Sequence, residues 1–150
     1  MKCRIIGVCR FLAKKTEQIK DIPPLLIRGV LAYGFYQPAK MKWSNMDAIG
    51  EWFQSMGYPL PYLNAYMAGT VEALGVLLLI LGLGTRLISI PLIFVMLVAI
   101  FTVHLSHGFE AGSNGFEIPL YYMIMLFALL VHGPGRMSVD HLISKYQERK

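Results

Sequence analysis

The sequence predicts an all-α membrane protein: a four-helix transmembrane bundle with a short amphipathic interfacial helix between the first two spans. Three observations carry this. Of 150 residues, 55% are hydrophobic and only 15% charged, with a mean hydropathy of +0.51, too apolar for a soluble fold of this size. Four segments, near 23–40, 62–84, 87–107 and 117–134, approach or reach the length that crosses a bilayer. The basic residues, finally, concentrate in alternate connections.

The chain divides into a basic amphipathic N-terminal segment (1–22), the membrane domain (23–135) and a tail (136–150). The opening "MKCRIIGVCRFLAKK" has its apolar run broken by Arg10 and lacks a small-residue cleavage site, so it does not read as a signal peptide. It reads instead as a helix on an anionic membrane surface or as a solvated basic tail. In the first span Pro23 suits a helix start, and Gly29, Tyr33, Tyr36 and Lys40 form one stripe. "MKWSNMDAIGEWFQSMGYPLPYL" then alternates aromatic and acidic residues. It reads as an interfacial helix with its tryptophans at headgroup level, or as a re-entrant lid.

The second span places Ala65, Ala68, Gly69, Glu72, Gly75 and Gly82 close to one side. Small residues on one stripe let helices approach closely, so this face belongs inside the bundle. Pro91 leaves at most a mild kink in the third span, Gly108, Gly112 and Gly115 mark a tight loop, Pro119 opens the fourth span, and "HGPGR" ends it.

Lys2, Arg4, Arg10, Lys14, Lys15 and Lys20 precede the first span, Arg86 follows the second, and Arg136, Lys145, Arg149 and Lys150 follow the fourth. Four spans put these three segments on one side, leaving Lys40 and Lys42 opposite, so both termini are expected in the cytoplasm. The net charge of +5 then reflects topology, and no nucleic-acid partner is expected. Cys3 and Cys9 fall on the reducing side as free thiols.

The polar groups within the spans need partners, because an ionisable side chain facing lipid costs about 2.5–3.5 kcal/mol on insertion scales. Glu72 is expected to be paired, protonated or both: a pair with Arg28 across the bundle, or a protonated Glu72 bonded to a tyrosine, either fixes register or serves chemistry. A second group, Lys40, His104, His107, Asn114, Glu117 and Tyr121, is expected to line an outer pocket suited to proton exchange or to a quinone-like carbonyl. His104, His107 and Glu117 also match a common metal-ligand set, although solvated histidines look the same in sequence. The methionines, including Met96 and Met123, read as core filler before copper ligands. No nucleophile elbow, phosphate loop, dinucleotide fingerprint or haem attachment motif occurs.

"LLIRGVLAYGFYQPAKM", "EALGVLLLILGLGTR", "NGFEIPLYYMIMLFALL" and "GPGRMSVDHLI" together resemble the DoxX family of small four-helix membrane proteins. With "FTVHLSHGF" they are most similar to its HvfX-type branch, associated with maturation of copper-responsive ribosomally made peptides. The resemblance implies a bacterial inner-membrane bundle acting as an accessory subunit of a redox system rather than as a stand-alone enzyme. It also implies that Arg28, Lys40, Glu72, Arg86, Asn114 and Glu117 stand at the family's polar positions. Leu74 departs from an expected glycine pair with Gly75, which questions the packing beside Glu72. Quinone or copper are the cofactors to consider, and a partner protein or homo-oligomer is expected besides the lipid bilayer. The alternatives are a small proton-coupled transporter or export component for a metal, lipid or peptide, with Glu72 as the coupled group, and an intramembrane metal enzyme.

Overall fold

The computed structural model describes Glu17 and residues 19–149. The expected N-terminal surface helix, with Cys3 and Cys9, lies outside them. Among the described residues there are helices and no strands. In chain order they are α1 (Ile22–Ser44), α2 (Met46–Ser55), α3 (Pro61–Leu81), α4 (Thr85–Ala99), α5 (Glu117–His132) and α6 (Val139–Gln147). A π turn (Ile100–His104) and a 3-10 turn (Leu105–His107) extend α4, and a 3-10 turn (Ala111–Ser113) lies in the α4–α5 loop.

Among the described residues two helices are long and apolar enough to cross a membrane, Pro61–Leu81 and Thr85–His107, and Glu117–His132 is a shorter apolar helix. α1 is as long as either, with 23 residues, but carries Arg28, Lys40 and Lys42. The helix starts follow from sequence. Prolines sit in the first turns of α1 and α3, where a missing N–H costs nothing. Asn45 caps α2 by accepting from the Ala48 N–H at 3.2 Å. Pro91 leaves α4 unbroken, as expected, while Ser89 donates to the Thr85 carbonyl at 2.7 Å.

α1 packs chiefly on α3, and α4 on α5, while α3 and α4 join the two pairs. The core at their junction contains Leu31, Phe35, Leu79, Leu92, Leu126 and Leu129. The small-residue face of α3 is interior: Ala65, Gly69, Gly75 and Gly82 are buried with Glu72, and Ala68 is half-buried. A side chain at Gly75 would press on Leu92 at about 2.9 Å, so glycine there sets the α3–α4 approach. Leu74 points outward, 48% exposed, so its departure from a glycine pair does not loosen the packing beside Glu72. A smaller core of Met46, Phe53 and Ala65 holds α2 against the first half of α3. The large apolar residues on the outer surface include Tyr33, Leu77, Leu87, Phe94 and Phe127. A continuous apolar exterior over a packed interior is what lipid-facing helices present.

Candidate functional site: a buried Lys42–Glu72 pair and the polar ends of the bundle

α1 remains helical through Ser44, which turns Lys42 onto the same face as Arg28, Leu31, Phe35 and Ala39. The Lys42 ammonium donates to both oxygens of Glu72, at 2.9 and 2.8 Å. The side chains are only 12% and 3% exposed. Where α1 ends, the indole N–H of Trp43 donates to the Gly69 carbonyl at 3.1 Å, and its ring meets Tyr66 edge-on at 6.3 Å. The α1–α3 crossing is therefore pinned by an ion pair and a hydrogen bond one turn apart. An ammonium has three donors, and two are taken by Glu72.

Arg28 does not supply the partner expected for Glu72. Its guanidinium lies against Gly82, ten residues beyond Glu72 on α3, or about 15 Å at the helical rise and beyond the reach of an arginine. Arg28 is 2% exposed and donates from Nη2 to the Met137 carbonyl at 2.6 Å. Among the described residues its Nε and Nη1 have no hydrogen-bond acceptor. It sits at the C-terminal end of α3, where the helix dipole favours a cation, and within the field of Asp140. Asp140 in turn caps α4: its two carboxylate oxygens accept from the N–H groups of Gly84 and Thr85, at 2.8 and 3.2 Å, while its own N–H donates to the Gly82 carbonyl at 3.1 Å. Gly82 and Gly84 make the intervening turn at φ of +65° and +55°, a conformation glycine adopts without strain. We call this the basic end of the bundle.

At the opposite end, the expected pocket residues knit a loop together. The His104 ring nitrogen Nδ1 is 2.8 Å from the Asn114 carbonyl, and that of His107 is 3.0 Å from the Val103 carbonyl one turn back. Glu117 accepts from the Ala111 N–H at 3.0 Å and from the Tyr121 hydroxyl at 3.1 Å. Lys40 lies on the exposed stripe with Tyr33 and Tyr36. His104, His107 and Glu117 do not converge as metal ligands. Among the described residues no three His, Cys, Asp or Glu side chains form a group that could hold a metal ion, because the loop turns each toward a backbone group of its own. Copper has no fitting ligand set there.

Sequence reasoning missed Lys42, placed in a loop by ending the first span at residue 40, and Asp140, placed in a free tail. The spacing 28, 32, 35, 39, 42 was the available signal for the first. For the second it was Ser138 before an amphipathic stretch: Ser138 caps α6 by accepting from the His141 N–H at 3.2 Å.

Among the described residues, two membrane-capable helices and a buried ion pair inside an apolar bundle give the chain the character of a small membrane protein. The DoxX family profile matches residues 24–105, and the chain belongs to that family. It is 30% identical over 134 residues to an uncharacterised protein of Haemophilus influenzae, covering 84% of this chain and 86% of that one. An uncharacterised membrane protein of Mycobacterium tuberculosis is 30% identical over 136 residues, covering 82% and 83% of the two chains. CatD of Bacillus subtilis, named provisionally as an oxidoreductase, is 28% identical over 127 residues, covering 83% and 90%. No solved structure matches at a significant level.

Proposed function

We propose that this protein is a bacterial inner-membrane accessory subunit of a redox system, spanning the bilayer four times with both termini cytoplasmic and α2 at the outer interface. The observation that carries it is the Lys42–Glu72 pair. Burying two charges between apolar helices is costly unless each is fully partnered, and well-packed apolar residues would join α1 and α3 at no such cost. Trp43, next to Lys42 in the chain, and Tyr66 are both half-exposed on the exterior, and the Lys42 ammonium has a third donor beyond the two taken by Glu72. That donor suits the carbonyl of a quinone head approaching from the bilayer. Membership of the DoxX family and the likeness to CatD support a redox setting.

In its narrower form the reading places the chain with the maturation of copper-responsive peptides, on the likeness of "FTVHLSHGF" and "NGFEIPLYYMIMLFALL" to that branch. Copper then belongs to the peptide or the partner enzyme. A Glu72 already neutralised by Lys42 favours this role over proton-coupled transport. Native mass spectrometry of protein released from a mild detergent tests the proposal. Retained quinone or a co-purifying partner enzyme is expected, with less quinone held by Lys42→Met. Bare protein with lipid alone, together with proton-coupled flux into vesicles that Glu72→Gln abolishes, would overturn it in favour of transport.

A further inference from the structure

We propose that the cleft at the basic end of the bundle binds the phosphate of an anionic phospholipid, with Arg86 and Arg136 as its two contacts. This rests on the reading of the chain as membrane-spanning. The cleft encloses about 330 Å³ between the first turn of α4, the Gly133–Gly135 turn after α5, and α6, with Arg86, His132, Arg136 and His141 on its walls. An adjoining cleft of about 440 Å³ shares Arg136 and His141 and adds Lys145 and Glu148.

Two arginines and two carboxylates, Asp21 and Asp140, line the cleft, and each carboxylate is held by backbone N–H groups. Asp140 lines it, but both its oxygens are held by Gly84 and Thr85, and its charge faces buried Arg28. Asp21 accepts the backbone N–H of Arg136 at 2.9 Å, and its other oxygen is a loose 3.8 Å from an Arg136 side chain that is 66% exposed. Among the described residues Arg86 has one hydrogen bond, to the Val131 carbonyl at 3.3 Å, and no carboxylate lies within ion-pair distance of it. Most of its planar donors are therefore available for the bidentate contact that suits a phosphate. The Arg86 guanidinium packs over Gly133, at φ +83°, where an added Cβ would stand about 3.4 Å from it, so the turn leaves room for the side chain.

The surroundings choose a lipid phosphate over a free one. Each basic wall residue is followed or preceded in sequence by an exposed apolar side chain: Leu87 beside Arg86, Val131 beside His132, Met137 beside Arg136 and Leu142 beside His141. A headgroup in the cleft thus has acyl chains running onto apolar helix surface, the arrangement of basic headgroup sites at membrane interfaces.

The test is native mass spectrometry of the full-length protein in mild detergent, titrated with equal phosphatidylglycerol and phosphatidylcholine. Preferential retention of phosphatidylglycerol is expected, falling about fivefold in Arg86→Gln, about fivefold in Arg136→Gln, and surviving in Arg136→Lys. Arg136 is exposed, so its variants decide the matter even where Arg86→Gln does not fold. Equal retention of the two lipids, or a preference unchanged in both glutamine variants, overturns the proposal. Displacement of the lipid by millimolar inorganic phosphate overturns the lipid as the source and assigns the cleft to a free anion. Loss of lipid preference in protein that still retains quinone or partner enzyme sinks this inference alone, whereas protein recovered without detergent sinks the membrane reading.

Discussion

Single residues set the interior chemistry here, and Lys42 with Glu72 do so most directly. Removing one partner leaves the other charged in an apolar contact, which typically costs about 3–5 kcal/mol, whereas replacing both with apolar residues of similar size is close to neutral. Lys42→Met and Glu72→Leu are each expected to lower stability by that order, and the double variant to recover most of it, as read by unfolding in mixed micelles. Additive losses in the double variant would show that the pair is not coupled. Gly82→Ala is likewise expected to be among the most damaging single-methyl changes in the chain. It forces a side chain into a left-handed backbone at φ +65° and against the Arg28 guanidinium, and thermal unfolding in detergent measures the loss. The burial of Glu72 was legible because the small residues on its face point one way. Its partner was not, because two residues of uncertainty at a helix end decide whether Lys42 faces the interior or solvent.

At the scale of elements, short segments outside the main helices carry much of the organisation. α6 has no buried residue of its own; Asp140 holds it to the ends of α3 and α4, and Ser138 caps its own first turn. Asp140→Ala removes a cap worth about 0.5–2 kcal/mol and frees the start of α6. Hydrogen exchange of the amides of residues 139–147 and of Gly84 and Thr85 is expected to speed up together. Exchange rising in α6 alone would mean that Asp140 does not cap α4. The opposite loop behaves similarly. Glu117→Ala removes the acceptor of both the Ala111 N–H and the Tyr121 hydroxyl, so exchange at residues 109–116 is expected to rise with little change in α3. These caps join residues far apart in sequence, 56 positions for Gly84 and Asp140, which explains why periodicity located α3 and α4 but not what ties their junction. The π turn that lets α4 reach His104 was equally hidden, since it shifts backbone pairing without changing composition.

The molecule as a whole presents an apolar girdle between two polar ends, and its arrangement across the bilayer is a prediction that belongs to this scale. The basic end gathers Arg28, Arg86, Arg136 and Lys145 and the start of α1, while the other end holds the α4–α5 loop. Excess positive charge stays on the cytoplasmic side, so the two ends are expected in different compartments. Ser144 and Gly112 are exposed at these ends, and nothing stands within 4 Å of a side chain added at Gly112. With Cys3 and Cys9 replaced by serine, Ser144→Cys should be labelled by an impermeant maleimide only after the cells are opened, and Gly112→Cys in intact spheroplasts. Labelling of both from one side would mean an even number of crossings, here none, between Gly112 and Ser144. In that case α5, with 16 residues, lies along the surface instead of spanning. The clefts with Arg86 and Arg136 would then share a compartment with the His104 loop, so the same two cysteines also fix which leaflet's phospholipid can reach the basic end.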